Sequence, residues 1–288
     1  ALHQLDVSDS RALELASKTV RDFIIRSEFP REIAHEVITA YFKLDEGVIK
    51  HALVAVRSSA TAEDLPGASF AGQQETFLNV YGEANLIEKV KEALASLFTA
   101  RAIFYRVTNK FDHFKVKIAV PVEKMISSDV SGVMFTIDPV TNDKKKLVIE
   151  AILGLGELIV QGSVTPDHYV IDKATGVIVE KEVNTQEKQL RKNVIETLPK
   201  TLGSKQKLDD SNIKKLADLG KKLEKHYFFP QDIEWALDQG KLYILQTRPV
   251  TTTGKEALNP KLQTLSTQRV ALLKGDAASP GMATGPVK

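Results

Sequence analysis

"DIEWALDQGKLYILQTR", residues 232–248, is the stretch from which the fold is read outward. Two β-prone runs flank Gln239 and Gly240, a short turn signal, so the segment predicts an antiparallel hairpin. Strand side chains alternate between faces, which puts Asp232 and Glu234 on one face and Ile233 and Trp235 on the other. On the return strand Gln246 and Arg248 share a face, and the short turn brings Glu234 close to Gln246. Carboxylate and amide oxygens are the hard ligands magnesium favours, and a guanidinium forks onto phosphate. This face fits a metal-nucleotide site. It equally fits an exposed polar hairpin face held by an ion pair.

Upstream of the hairpin the spacing predicts a helix over about residues 210–225, preceded by a polar, lysine-rich stretch at 188–207. Before that, short strands are expected at 116–125, 132–137, 147–152, 168–171 and 177–183, separated by turn signals such as "DPVTND" and "DKATG". Lys144 to Lys146 follow Asn142 and Asp143 and read as a solvated hairpin tip. The chain opens with two amphipathic helices, one after Ser8 as N-cap and one after Pro30. A buried strand at 52–56 follows, and then Leu86, Val90, Leu94, Leu97, Phe104 and Val107 mark one long helix with a core-facing stripe.

Between that strand and that helix lies "VRSSATAEDLPGASFAGQQETFLNV", residues 56–80. Arg57 leaves the strand end, and Ser58, Ser59, Gly67 and Gly72 let backbone amides approach an anion. A polar surface loop explains the same residues. "EAILGLGELIVQGSVTPD", residues 150–167, joins an apolar strand to glycines that suit either a mobile cover or a tight turn. The six histidines form no pair at metal-ligand spacing, so His35, His51, His113, His168 and His226 are expected to be structural or surface residues.

Composition excludes several classes of chemistry. With 43% hydrophobic residues, the 288-residue chain supports a substantial core in one large or two modest domains. The 39 basic and 37 acidic residues nearly cancel, which leaves no global field for nucleic acid or a membrane surface. No cysteine is present, so there is no disulfide, no thiolate metal site and no thiol nucleophile. No signal segment or membrane span is read, and a cytoplasmic protein is expected.

Six segments, in order along the chain, resemble the nucleotide-binding portion of phosphoenolpyruvate synthase, in the wider pyruvate phosphate dikinase family. They are the 56–80 loop, "SLFTARAIFYR", "SGVMFTIDP", "GLGELIVQGSVTPD", the hairpin with "PVT", and "GDAASPGMATGPV". The resemblance implies an α+β, ATP-grasp-like fold clasping a nucleotide between two subdomains. Residues 1–115 would form the remainder of the first subdomain and 116–250 the second, with a linker at 251–270 and the start of a phosphohistidine domain at 271–288. It implies phosphoryl transfer from Mg-ATP to a histidine on a swivelling domain and on to pyruvate, giving phosphoenolpyruvate, AMP and phosphate.

Carried over by motif, Arg57 and Arg248 resemble the catalytic arginines that neutralise charge on the transferred phosphoryl group. Arg101, Thr76, Asp232, Glu234, Gln246 and Arg248 fall among the ATP contacts, with Glu234 and Gln246 as the Mg2+ ligands. "PVEKMI" resembles the strand that meets adenine through the main chain of Glu123 and Met125; the family more often has glutamine at the position of Glu123. The family's Gly-Gly-Lys-Gly segment, its phosphorylatable histidine and its pyruvate-binding barrel are not in these residues, so a fragment of a longer enzyme is expected. Pyruvate phosphate dikinase, which uses inorganic phosphate, and a non-catalytic nucleotide-binding remnant are the alternatives. Homo-oligomerisation of the full-length enzyme stays open.

Overall fold

A computed structural model describes residues 5–44, 52–60, 64–65, 68–69, 75–113, 115–192 and 194–250. The linker and the phosphohistidine-domain start expected beyond 250, and the loop glycines Gly67 and Gly72, lie outside the described residues. The chain divides into two compact units after Ile126.

In the first unit, helices α1 (Ser10–Arg26) and α2 (Arg31–Phe42) precede β1 (Val54–Arg57), β2 (Ser59–Ala60), β3 (Asp64–Leu65), β4 (Ala68–Ser69) and β5 (Thr76–Val80). Then come α3 (Glu83–Ala95), α4 (Ala100–Thr108), β6 (Ile118–Ala119) and β7 (Val122–Lys124). A three-stranded antiparallel sheet runs β5-β1-β7, and β6 pairs with β2. The N-cap of α1 is Asp9 rather than Ser8: its carboxylate accepts from the Arg11 and Ala12 amides, and Ser8 bonds to Asp6 instead. Tyr41, Val54, Val56, Leu86 and Val90 form the core.

The single long helix expected from 86 to 107 is broken. A 3-10 turn over Ser96–Phe98 ends α3, and Thr99, extended at ψ 151, caps α4 through its side chain. The break rotates the buried face, so α4 buries Ala102, Ile103 and Arg106 while Phe104 is exposed. The 116–125 run is likewise two short strands, β6 and β7, interrupted at Pro121.

The second unit holds β8 (Val130–Phe135), β9 (Lys146–Leu153), α5 (Glu157–Val160), β10 (Asp167–Asp172) and β11 (Ile178–Glu182). It continues with β12 (Lys188–Arg191), β13 (Val194–Thr197), α6 (Lys200–Gly203), α7 (Asp210–Tyr227), β14 (Gln231–Asp238) and β15 (Lys241–Pro249). Six strands form an antiparallel sheet in the order β11-β10-β9-β8-β14-β15. Every other residue faces α7: Met134, Ile149, Tyr169, Ile233 and Trp235 pack on Ile213, Leu216 and Ala217. Asp209 caps α7 by accepting from the Asn212 amide. The polar stretch around 188–207 resolves into the β12–β13 hairpin and α6.

A charged node is sealed into this unit. Asp167 and Lys207 are both fully buried and pair at 2.8 Å. The same carboxylate accepts from the Tyr169 hydroxyl at 2.7 Å and from the Lys207 and Asn184 amides, while Lys207 also donates to the Asn184 carbonyl. Removing one partner of such a pair leaves the other charged and dry. Lys207→Met is expected to lower unfolding free energy by about 3–5 kcal/mol, read from urea unfolding; a loss under about 1 kcal/mol would mean the node is not held as drawn.

Candidate functional site

β14 and β15 meet through a two-residue turn in which Gln239 (φ 47) and Gly240 (φ 79) both take left-handed backbone, the geometry that matches strand twist. The Asp129 carboxylate accepts from the Gln239 amide at 3.1 Å and so fixes the turn. Registers pair Glu234 with Gln246, which the sequence reading brings close together, and Asp232 with Arg248. At the base, the Thr247 hydroxyl donates to the Gln231 side chain, and the Gln231 amide donates to the Thr136 hydroxyl.

One feature of the return strand escapes simple alternation. Trp235 pairs with Ile244 while Glu234 pairs with Gln246, so Leu245 is an extra residue at a β-bulge. Leu242 and Ile244 therefore pack on the α7 core, whereas Gln246 and Arg248, of the same parity, turn to the opposite face. The signal was legible: in "KLYILQTR" the even positions switch from apolar to polar after Ile244.

Arg248 places Nε and one terminal nitrogen each 2.8 Å from Asp232 Oδ2. Burial pushes the Asp232 carboxyl above its ordinary value; Arg248 opposes the rise and Glu234 adds to it. Among the described residues no three histidine or carboxylate side chains gather into a metal cage. One carboxylate with one amide is nonetheless the kind of partial set that suits magnesium, which keeps waters and takes substrate phosphates for its other ligands.

The other candidate residues lie in the first unit. Arg57 is mostly buried at the end of β1, with its guanidinium 3.7 Å from Glu123 Oε2, and Thr76 is its register partner on β5. Ala55 pairs with Glu123, and the Met125 amide donates to the Leu53 carbonyl at 2.9 Å. A base that sought the Met125 N–H would have to displace that bond. Arg101 is exposed in the first turn of α4. Arg106, which the sequence did not single out, is fully buried, with Nε donating 2.9 Å to His113 Nδ1 and the guanidinium over Phe98. Burial pulls its pKa down to about 10.

The "GLG" segment is a tight turn. Gly154 takes φ 83, and its carbonyl accepts from the Ser128 and Ser131 hydroxyls at 3.0 and 2.6 Å. A Cβ there would lie 2.7 Å from the Leu190 carbonyl.

Residues 1–269 match the family described as pyruvate phosphate dikinase, AMP/ATP-binding domain. The chain belongs to that family. Over its full length it is 47% identical to a "Probable phosphoenolpyruvate synthase" of Methanocaldococcus jannaschii, covering 25% of that protein. It is 49% identical to its counterpart in Archaeoglobus fulgidus, covering 39% of it. Against "Phosphoenolpyruvate synthase" of Pyrococcus furiosus, identity is 46% over 99% of this chain and 37% of the relative. The chain thus spans about a quarter to two-fifths of the curated relatives it matches. No helix among the described residues is long and apolar enough to cross a membrane.

Arg248 is the main counterweight to the buried Asp232 charge. An acid whose folded pKa lies above the unfolded 3.8 favours the native state most below that value, and the contribution is lost as pH rises through the folded pKa. Arg248→Met raises the folded pKa further. The melting-temperature deficit of the variant is therefore expected to be small in acid and to widen toward neutral pH; a deficit constant with pH would assign Arg248 no electrostatic role at Asp232.

Proposed function

We propose that this chain is the ATP-binding part of a phosphoenolpyruvate synthase with an ATP-grasp architecture. The carrying observation is the hairpin face on which Glu234 stands opposite Gln246 and Arg248 grips Asp232. Family membership and identity near 45% to named synthases support the same conclusion.

Glu234 and Gln246 would hold Mg2+, which would supply positive charge to neutralise the nucleotide's phosphates. Arg248 sits beside them with an orientation set by Asp232, so it meets charge developing on the transferred phosphoryl group at little reorganisation cost. Arg57 supplies a second guanidinium and Arg101 a third basic contact; Thr76 and the main chain of Glu123 and Met125 complete the nucleotide contacts. In the longer enzyme one phosphoryl group of ATP passes to a histidine on a swivelling domain and then to pyruvate, while water takes up the other, so that AMP and phosphate are released. The phosphohistidine domain and the pyruvate-binding barrel are the partners that this role requires.

Calorimetric titration with a non-hydrolysable ATP analogue and Mg2+ tests the site. Glu234→Ala and Gln246→Ala are expected to weaken magnesium-dependent binding at least roughly tenfold with melting temperature nearly unchanged. Equal loss of binding and stability would make these scaffold residues, and magnesium-independent binding would remove the metal role.

A further inference from the structure

Strand pairings across the second unit line up side chains from all six strands in one row. Gln246 stands opposite Glu234, Glu234 opposite Val133, Val133 opposite Glu150, Glu150 opposite His168, and His168 opposite Glu182. Directly opposed residues point to the same face, so the row lies on the face of Asp232 and Arg248, away from α7. Two strand spacings separate Glu150 from Glu234, about 10 Å between backbones. Val133, between them, carries no charge.

Glu150 thus adds a further negative charge to a face that is to receive a polyanion. Its Oε1 lies 3.8 Å from His168 Nδ1, with both side chains about two-thirds buried. The charged groups facing His168 are Glu150 on β9 and Glu180 and Glu182 on β11; β8 contributes Val133 to the row and β14 contributes Glu234. Pairing with the Glu150 carboxylate raises the His168 pKa above its ordinary value against the opposing effect of burial, and the charges of Glu180 and Glu182 add to the rise.

We propose that His168 is a nucleotide-positioning residue that acts through Glu150. As an imidazolium it cancels the Glu150 charge on the sheet face that takes the triphosphate; as a neutral imidazole it leaves that charge to repel the ligand. The proposal rests on the Mg-ATP role of Glu234 and Gln246. At about 10 Å and an effective dielectric between those of protein and water, one uncompensated charge changes affinity roughly three- to tenfold.

The test titrates the chain, His168→Gln, His168→Lys and Glu150→Gln with the same ATP analogue and Mg2+ from about pH 6 to about pH 8.5, a span that crosses histidine ionisation. Protonation of the analogue is common to all four proteins, so affinity ratios to the unsubstituted chain are compared. His168→Gln is expected to bind roughly three- to tenfold more weakly at about pH 6 and equally at about pH 8.5. His168→Lys should match the unsubstituted chain in acid and exceed it in alkali, whereas Glu150→Gln, which removes one negative charge whatever the state of His168, should exceed it across the whole span. A His168→Gln ratio that is pH-independent, whether one or lower, overturns the proposal, and melting temperatures identify any variant that has merely lost its fold. No Mg-nucleotide binding by the unsubstituted chain overturns both this role and the Mg-ATP site. Binding that Glu234→Ala abolishes but that is indifferent to His168 overturns this role alone.

Discussion

The extra residue at Leu245 is the constraint on which the candidate site depends. β15 is an edge strand whose turn-proximal half must seal the α7 core with Leu242 and Ile244, and whose far half must carry Gln246 and Arg248 to the opposite face. A regular strand cannot do both with residues of one parity. The bulge changes the phase between Ile244 and Gln246 and moves the register by one residue, so that Glu234 faces Gln246 and Asp232 faces Arg248 where the turn alone would set Leu245 and Thr247. Because Trp235 and Ile233 are locked in the core on the partner strand, Glu234 and Asp232 are aimed by packing, not by a loop.

That placement creates an electrostatic problem which the same sheet answers. Asp232, Glu234 and Glu150 are carboxylates on one half-buried face, and a bare array of this kind would disfavour both its own folding and the approach of phosphate. Arg248 answers Asp232 from the adjacent strand at 2.8 Å, and His168 answers Glu150 from the adjacent strand at 3.8 Å. The two answers differ in kind. A guanidinium keeps its charge across the physiological range, while an imidazole does not.

Much of this was legible in the sequence. Alternation in "DIEWALD" placed Asp232 and Glu234 opposite Ile233 and Trp235, a short-range consequence of strand geometry; the two-residue turn brought Glu234 close to Gln246, but by count alone it pairs Glu234 with Leu245, and the bulge makes Gln246 the partner. The break between α3 and α4 was hidden because Leu97 and Phe104 continue a helical spacing that the cap at Thr99 interrupts. Glu150 and His168 were missed as site neighbours for a different reason. Their place beside Glu234 follows from the strand order β10-β9-β8-β14, and β14 joins β8 only after some hundred intervening residues, a pairing no local pattern encodes.

The row also requires that β10 be held in register, since a slip by one residue would turn His168 into the α7 core and Asp167 out of it. Apolar packing alone is weakly selective here, because Val170 and Ile171 are both buried and would tolerate either face. Asp167 is not indifferent. Its carboxylate is satisfied only where Lys207, Tyr169 and the Asn184 amide converge, and in any other register a charge would be buried without partners. A buried ion pair adds little net stability over apolar packing, but it penalises the alternative pairings severely. In this chain the charge at Asp167 therefore sets where its neighbour His168 stands, and through the sheet, which side chains share a face with Glu234.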